Sequence, residues 1–220
     1  MARLIALMNS LLKDYDLFIF DWDGTLSTST MLVRISHFFK KRYNPDYIRA
    51  HADKYKQPQS TNMPFRSSEA HAVDFLYEFY GAFAKPKLRE GTLELLRSLK
   101  KRNKKIALFS DGAQHRVHSE VRKLGLEEYF DVILSAETIH AYKPNPTGIT
   151  LISRELSTRK NRCLYIGDMS IDIFTARFAG IDVCSVGNGL DPYPTLVATK
   201  PDYIFESTDA LARKIEGKRR

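Results

Sequence analysis

The chain has 220 residues, of which 43% are hydrophobic and 27% are charged, and its formal net charge is +8 at pH 7. This is the composition of a globular protein with a sizeable core, and the lack of an apolar run of about 18 residues argues against a membrane-spanning segment. Polar residues interrupt the first fifteen positions, so we expect no export signal there and a cytoplasmic protein.

Short apolar segments alternate with helical patterns along most of the chain. Strands are predicted at residues 17–20, 105–109, 129–134, 162–166, 181–186 and 202–205. Helices are predicted at residues 92–103, 114–126, 146–156 and 170–179, followed by a last helix that Ser207 or Thr208 opens. Wholly apolar strands that alternate with helices predict an α/β protein with a parallel sheet.

Residues 27–88 break this alternation. Helical patterns cover residues 30–43, 45–56 and 65–83, with Pro45 at a helix start behind Asn44, and residues 57–64 have the composition of a loop. We therefore predict two domains: an α/β core made of residues 1–26 and 89–220, and an inserted helical domain at residues 27–88.

The two cysteines, Cys163 and Cys184, lie in apolar runs and have no metal-binding spacing. We interpret them as core thiols of a protein from a reducing compartment. A disulfide stays open at this point, because the sequence cannot place the two sulfur atoms.

The most informative stretch is an apolar strand that runs into Asp-Trp-Asp-Gly-Thr at residues 21–25. The carboxylates of Asp21 and Asp23 would point the same way at the end of a strand, where they repel each other unless a cation or a proton is shared. Asp-x-Asp-Gly also begins calcium loops, but Thr25, Leu26 and Ser27 are not the further ligands that such a loop needs.

A second acidic pair, Asp168 and Asp172, follows the apolar strand at residues 162–166. A helix N-terminus alone favours acidic residues, and this explains either residue singly. Four carboxylates at one edge of a sheet would be costly without a divalent ion, and oxygen ligands without sulfur indicate Mg²⁺.

Two weaker signals fall at the same edge. Ser110, Asp111 and Gly112 end a strand and precede a helix, where a hydroxyl and backbone N–H groups can bind phosphate. Lys143 precedes another helix and could supply a fixed cation. Taken alone, the first is also an ordinary turn and the second an ordinary surface lysine.

These four motifs, in this order, resemble those of the haloacid dehalogenase superfamily, and the helical insert is similar to the cap of its phosphoglycolate phosphatase-like branch. The resemblance implies a Rossmann-like core with an all-helical cap. It also implies that Asp21 is the nucleophile, Asp23 the general acid and base, and Lys143 the cation that steadies the phosphoryl group. Ser110, Asp111 and Gly112 would bind phosphate.

By the same resemblance, Mg²⁺ would be held by Asp21, the backbone carbonyl of Asp23 and Asp168, with support from Asp172. One residue departs from the pattern: Asp111 stands where many members carry Asn. It preserves the backbone donors but adds negative charge near the expected phosphate.

The expected function is therefore Mg²⁺-dependent hydrolysis of a small phosphomonoester, with phosphoglycolate as the first compound to try. Inorganic pyrophosphatase and sugar phosphomutase activities use the same motifs and stay open, as does a phosphometabolite-binding protein without turnover. A dehalogenase would need neither the second aspartate nor Mg²⁺.

The insert supplies +5 of the net charge, with ten Lys and Arg residues against five acids. This charge could attract small anionic substrates or could be an ordinary solvated face. The basic clusters at residues 40–42 and 100–105 lack interleaved aromatic residues, so we expect no nucleic-acid partner. We also expect no membrane partner, and a monomer or homodimer.

Overall fold

The computed structural model describes residues 11–28, 44–53 and 86–217. The helices predicted at residues 30–43 and 65–83 and the loop predicted at residues 57–64 lie outside the described residues, as does most of the insert's positive charge. The division into a core and a helical cap therefore stays a prediction.

A six-stranded parallel sheet forms the centre of the described structure. Its strands are β1 (Leu17–Phe20), β2 (Lys105–Ser110), β3 (Val132–Ser135), β4 (Cys163–Gly167), β5 (Asp182–Val186) and β6 (Tyr203–Phe205). Across the sheet the order is β3-β2-β1-β4-β5-β6, and every neighbouring pair is parallel. The α/β Rossmann-like class is therefore confirmed, with β1 in a central position between β2 and β4.

Seven α-helices lie in the described parts of the chain. They are α1 (Pro45–Ala50), α2 (Thr92–Lys100), α3 (Gln114–Lys123), α4 (Thr147–Glu155), α5 (Ser170–Ala179), α6 (Tyr193–Thr199) and α7 (Thr208–Glu216). Short 3₁₀ turns occupy Glu127–Tyr129 and Lys160–Arg162, and residues 11–14 are helical. None of these helices combines the length and apolarity needed to cross a membrane.

The helices cover both faces of the sheet, which is why all four residues of β1 are buried. Phe18 and Phe20 pack in one core with side chains of α2, α3 and α7. Leu17 and Ile19 pack in a second core with side chains of α4, α5 and α6. The two-residue period of a strand thus divides β1 between two apolar layers.

Within the described residues most predicted elements are present, with ends that differ by up to three residues. The exception is the helix predicted at residues 45–56, which ends at Ala50 because the backbone of His51 leaves the helical conformation. β3 begins at Val132 instead of residue 129 because a 3₁₀ turn comes first, and pairing with β2 starts where Asp131 N donates to Ile106 O at 2.7 Å. The sequence analysis missed α6, a helix of seven residues in which Leu196 is the one buried apolar side chain.

Helix α1 begins at Pro45 as predicted, and Asn44 Oδ1 caps it by accepting from Asp46 N and Tyr47 N. Ile48 on α1 is buried in a cluster with Met169, Ile171 and Phe174 around the start of α5. This part of the insert therefore contacts the core beside the second acidic motif.

Both cysteines are buried, in agreement with their interpretation as core thiols, and both are free although their strands are neighbours. Burial raises the pKa of the Cys163 thiol to about 11. A thiol that stays protonated in the core has a packing role and little reactivity.

Candidate active site

Carboxylates from two neighbouring strands meet at the carboxyl edge of the sheet. Asp21 follows β1 directly, and Asp168 and Asp172 follow β4, the parallel neighbour of β1. All three side chains are buried, and one oxygen from each lies within 4.8 Å of the others. The structure thus brings these three candidate residues together, although Asp21 and Asp168 are far apart in the sequence.

Lys143 lies between these carboxylates. Its Nζ donates to Asp21 Oδ1 at 2.6 Å and to Asp172 Oδ1 at 2.7 Å. Its backbone N–H donates to Asp111 Oδ1 at 3.0 Å, which connects the loop before α4 to the loop after β2. The side chain is 3% exposed, so the ammonium is a fixed buried cation and the interpretation as an ordinary surface lysine is wrong.

The loops after β1 and β5 close around Asp168. Its Oδ1 accepts from Thr25 Oγ1 at 2.7 Å, and its Oδ2 accepts from Leu190 N at 2.6 Å. Gly24 and Gly189 lie against the same carboxylate, where an added Cβ would come within 2.3 Å and 2.1 Å of Oδ2. Any larger residue at either position would displace the Asp168 side chain.

Burial perturbs the ionisation of these groups. It raises the pKa of Asp21 well above its usual range; Lys143 opposes this shift, while Asp172 and Asp168 add to it. Burial and the charge of Asp172 raise the pKa of Asp168 to about 7. Burial would lower the pKa of Lys143, but Asp172 and Asp21 outweigh it and raise that pKa well above its ordinary value.

The chemistry of this donor set fits a hard divalent cation. The cluster offers carboxylate oxygens, the ligands that Mg²⁺ and Ca²⁺ prefer. One ammonium cannot neutralise three carboxylates, and a divalent ion would cancel the charge that Lys143 leaves. Burial is the main reason that the pKa values of Asp21 and Asp168 are raised, and repulsion from Asp172 adds to the shift of each.

Asp23 is paired with a different cation. On α3, Arg116 donates from Nη1 to Asp23 Oδ1 at 3.1 Å and from Nη2 to Oδ2 at 2.5 Å. The two side chains are 4% and 13% exposed. Asp21 and Asp23 therefore do not rely on a single side-chain cation, since Lys143 binds the first and Arg116 the second.

Ser110 and Gly112 shape the loop after β2. Ser110 is buried at the end of the strand, and its Oγ accepts from Gly112 N at 3.0 Å. A Cβ on Gly112 would lie 2.1 Å from Arg116 Nη2, so the absence of a side chain lets Arg116 pass toward Asp23. The Asp111 carboxylate, whose charge was the departure from the family pattern, accepts the backbone N–H of Lys143.

Sequence reasoning missed Arg116, Tyr165 and Leu190. Tyr165 lies on β4, and its hydroxyl donates to Asp172 Oδ1 at 3.4 Å. The sequence analysis treated this strand as uniformly apolar and therefore overlooked the hydroxyl. For Arg116 the one available signal was its place in α3, the helix that follows the Ser110 motif.

Comparison with known proteins shows which sequences this chain resembles. A family model described as haloacid dehalogenase-like hydrolase matches residues 18–186. Pyrophosphatase PpaX of Halalkalibacterium halodurans is 27% identical over 201 residues, which cover 88% of this chain and 93% of that protein.

Solved structures share the fold. One from Lactobacillus delbrueckii subsp. bulgaricus, provisionally described as a phosphoglycolate phosphatase, has a TM-score of 0.70 and 22% identity over 92% of this chain and 98% of that one. CbbY from Rhodobacter sphaeroides, crystallised with phosphate, has a TM-score of 0.66 and 19% identity over 90% and 96% of the two chains.

Proposed function

Because the chain belongs to the haloacid dehalogenase-like hydrolases, we propose that it is a Mg²⁺-dependent phosphatase that forms an aspartyl-phosphate on Asp21. The observation that carries this proposal is the environment of the Asp21 carboxylate. It is buried at the end of β1, bonded to Lys143, and close to oxygens of Asp168 and Asp172. A phosphate dianion repels a carboxylate, so a nucleophile of this kind needs fixed positive charge beside it.

Asp21, Asp168 and Asp172, with the backbone carbonyl of Asp23, are the groups that would hold Mg²⁺. When bound, the ion supplies positive charge that offsets the charges of the carboxylates and the phosphate. Lys143 adds a second positive charge and fixes the orientation of Asp21 through the 2.6 Å bond to Oδ1. Ser110 and the backbone N–H groups of the following loop are the proposed phosphate ligands.

The proposed reaction has two halves. In the first, an oxygen of Asp21 bonds to phosphorus, the bond from phosphorus to the ester oxygen breaks, and Asp23 gives its proton to the departing oxygen. In the second, the oxygen of a water molecule bonds to phosphorus while Asp23 removes a proton from that water, and the bond to Asp21 breaks. Ester and water become alcohol and phosphate, and both aspartates return to their first state.

Two substrates are the first to compare. Phosphoglycolate follows from the resemblance to the capped branch of the family. Inorganic pyrophosphate is favoured by the similarity to PpaX, which extends over 88% of this chain. Both compounds carry a second anionic group beside the scissile phosphate, which suits a protein of net charge +8. Sugar phosphomutase and binding without turnover are the remaining alternatives.

We expect the purified protein to release phosphate from at least one of these two compounds in Mg²⁺, to lose this activity in a chelator, and to regain it when Mg²⁺ is restored. Ca²⁺ should support little turnover because its larger, looser coordination misplaces nucleophile and phosphate. Phosphate release over a concentration series gives kcat/KM for each compound, and the ratio ranks them. Full activity in a demonstrably metal-free sample would contradict the proposal.

The stability of the protein should depend jointly on pH and Mg²⁺. The pKa of Asp168 is about 7 in the folded protein and near 4 in an unfolded chain, so the folded state binds more protons between these values. Without metal, this residue's contribution to stability therefore falls as the pH rises from about 4 to about 7. Mg²⁺ binds the deprotonated carboxylate, so stabilisation by Mg²⁺ should increase over the same range.

Melting temperatures at about pH 5 and about pH 8, each with chelator or with Mg²⁺, test this linkage. For a chain of this size each kcal/mol is worth about 2–4 °C. The Asp168→Asn variant is the control, since it should lose most of the pH-dependent part of the Mg²⁺ effect. An equal Mg²⁺ effect at both pH values in the wild type would contradict the prediction.

A further inference from the structure

Arg116, which pairs with Asp23, belongs to none of the four motifs. Two parallel hydrogen bonds join the guanidinium to both oxygens of the carboxylate, at 3.1 Å and 2.5 Å. A two-pronged pair of this kind fixes the plane of the carboxylate as well as its position. A lysine at the same place could supply charge but not this geometry.

Arg116 is itself held in place. Its Nη1 also donates to Glu120 Oε2 at 3.0 Å, one helical turn further along α3. The same Glu120 oxygen accepts from Trp22 Nε1 at 2.6 Å. Trp22 is fully buried and stands between Asp21 and Asp23 in the sequence. A chain of hydrogen bonds therefore leads from Trp22 through Glu120 and Arg116 to Asp23. It joins α3 to the two residues that follow Asp21 in the sequence.

We propose that Arg116 is a positioning residue that holds the Asp23 carboxylate in the orientation in which it exchanges protons with the leaving group and with water. This inference rests on the proposed function, in which Asp23 is the general acid and base. A carboxylate has about four acceptor positions. Arg116 fills two of them, so it restricts the side chain without occupying every site for the mobile proton.

The second half-reaction gives the sharpest test, because hydrolysis of the aspartyl-phosphate needs a base whichever ester formed it. With nitrophenyl phosphate the first half needs little help from Asp23, since nitrophenolate leaves readily. In Arg116→Ala the second half should slow on the order of 10²-fold, the loss typical of a misplaced reacting group. Rapid-quench measurements should then find a larger fraction of enzyme phosphorylated on Asp21 in the steady state than in the wild type.

Two further variants complete the experiment. Arg116→Lys keeps the positive charge without the two parallel bonds, and it should also accumulate phosphoenzyme, to a smaller extent. Added guanidinium ion should speed dephosphorylation of Arg116→Ala and leave the wild type unchanged. Arg122→Ala is the matched control: it removes an arginine from the same helix, but that side chain is 72% exposed and pairs with Glu127. Its kinetics should be those of the wild type.

A role limited to packing would give a different result. In that case the initial burst of nitrophenol and the steady-state turnover of Arg116→Ala would fall by the same factor. The phosphorylated fraction of the enzyme would not rise, and added guanidinium would have no effect. If Arg116→Ala does not fold, Arg116→Lys carries the same test. If Asp23→Asn accumulates phosphoenzyme but neither Arg116 variant does, the inference about Arg116 is wrong and the proposed function stands. If neither the wild type nor Asp23→Asn ever carries phosphate on Asp21, the inference about Arg116 and the proposed function are both wrong.

Discussion

Replacing Asp21 with Asn is expected to abolish turnover, with a fall in kcat of at least about 10⁴-fold, and to prevent phosphoenzyme formation on any substrate. The amide keeps the size of the side chain but loses the charge that attacks phosphorus. The fold should survive, because burial disfavours the Asp21 carboxylate and Lys143 keeps its bond to Asp172. Rapid quench with labelled substrate and a melting curve measure the two effects.

Asp16→Asn is a matched control for this variant. Asp16 comes immediately before β1, at the opposite edge of the sheet, and binds Arg162 with both oxygens at 2.8 Å and 2.9 Å. The same change of residue at the opposite end of β1 should therefore cost some stability and leave kcat unchanged. Label on a residue other than Asp21 in the wild type would refute the assignment of the nucleophile.

The second large effect is expected in Asp23→Asn, which should separate the two half-reactions. General acid–base catalysis is typically worth about 10² to 10⁴ in rate, so the loss of turnover should be large but incomplete. An alkyl phosphate needs its departing oxygen protonated, so its first step should be slow. Nitrophenyl phosphate should instead give a burst of nitrophenol approaching about one equivalent per active site, followed by slow turnover.

Each ester is the control for the other in this experiment. The first half-reaction depends on the leaving group and so differs between them, whereas the second half-reaction, hydrolysis of the aspartyl-phosphate, is the same for both. The phosphate that remains on the enzyme after the burst should be on Asp21. An Asp23→Asn variant that turns over both esters at the wild-type rate would show that another group moves the proton.

The positions of the acidic motifs could be predicted because they depend on local signals. A wholly apolar run that stops at Asp21 marks the end of a buried strand, and the same pattern precedes Asp168. Parallel strands end at the same edge of a sheet, so the two motifs had to meet once the strands were neighbours. A role for Lys143 as a fixed cation could be inferred only in combination with the acids, and its burial was not predicted, since an isolated lysine is ordinarily exposed.

Other features depend on contacts between residues far apart in the chain. Arg116 and Asp23 are separated by 93 positions, and the single sequence contains nothing that pairs them. The role of Gly189 beside Asp168 is visible only when the loop after β5 is folded onto the loop after β4. Helix α6 escaped prediction because seven residues are too few to establish a helical period.

The central position of β1 has a consequence for synthesis of the protein. Asp21 and Lys143 are 122 residues apart, so at about 5–20 residues per second Asp21 leaves the ribosome roughly 6–24 s before Lys143. Both strands that flank β1 come later in the chain, and until β2 is made the four apolar residues of β1 have neither neighbour to pair with. Shielding of residues 17–20 by a chaperone during this interval would therefore raise the yield of folded enzyme.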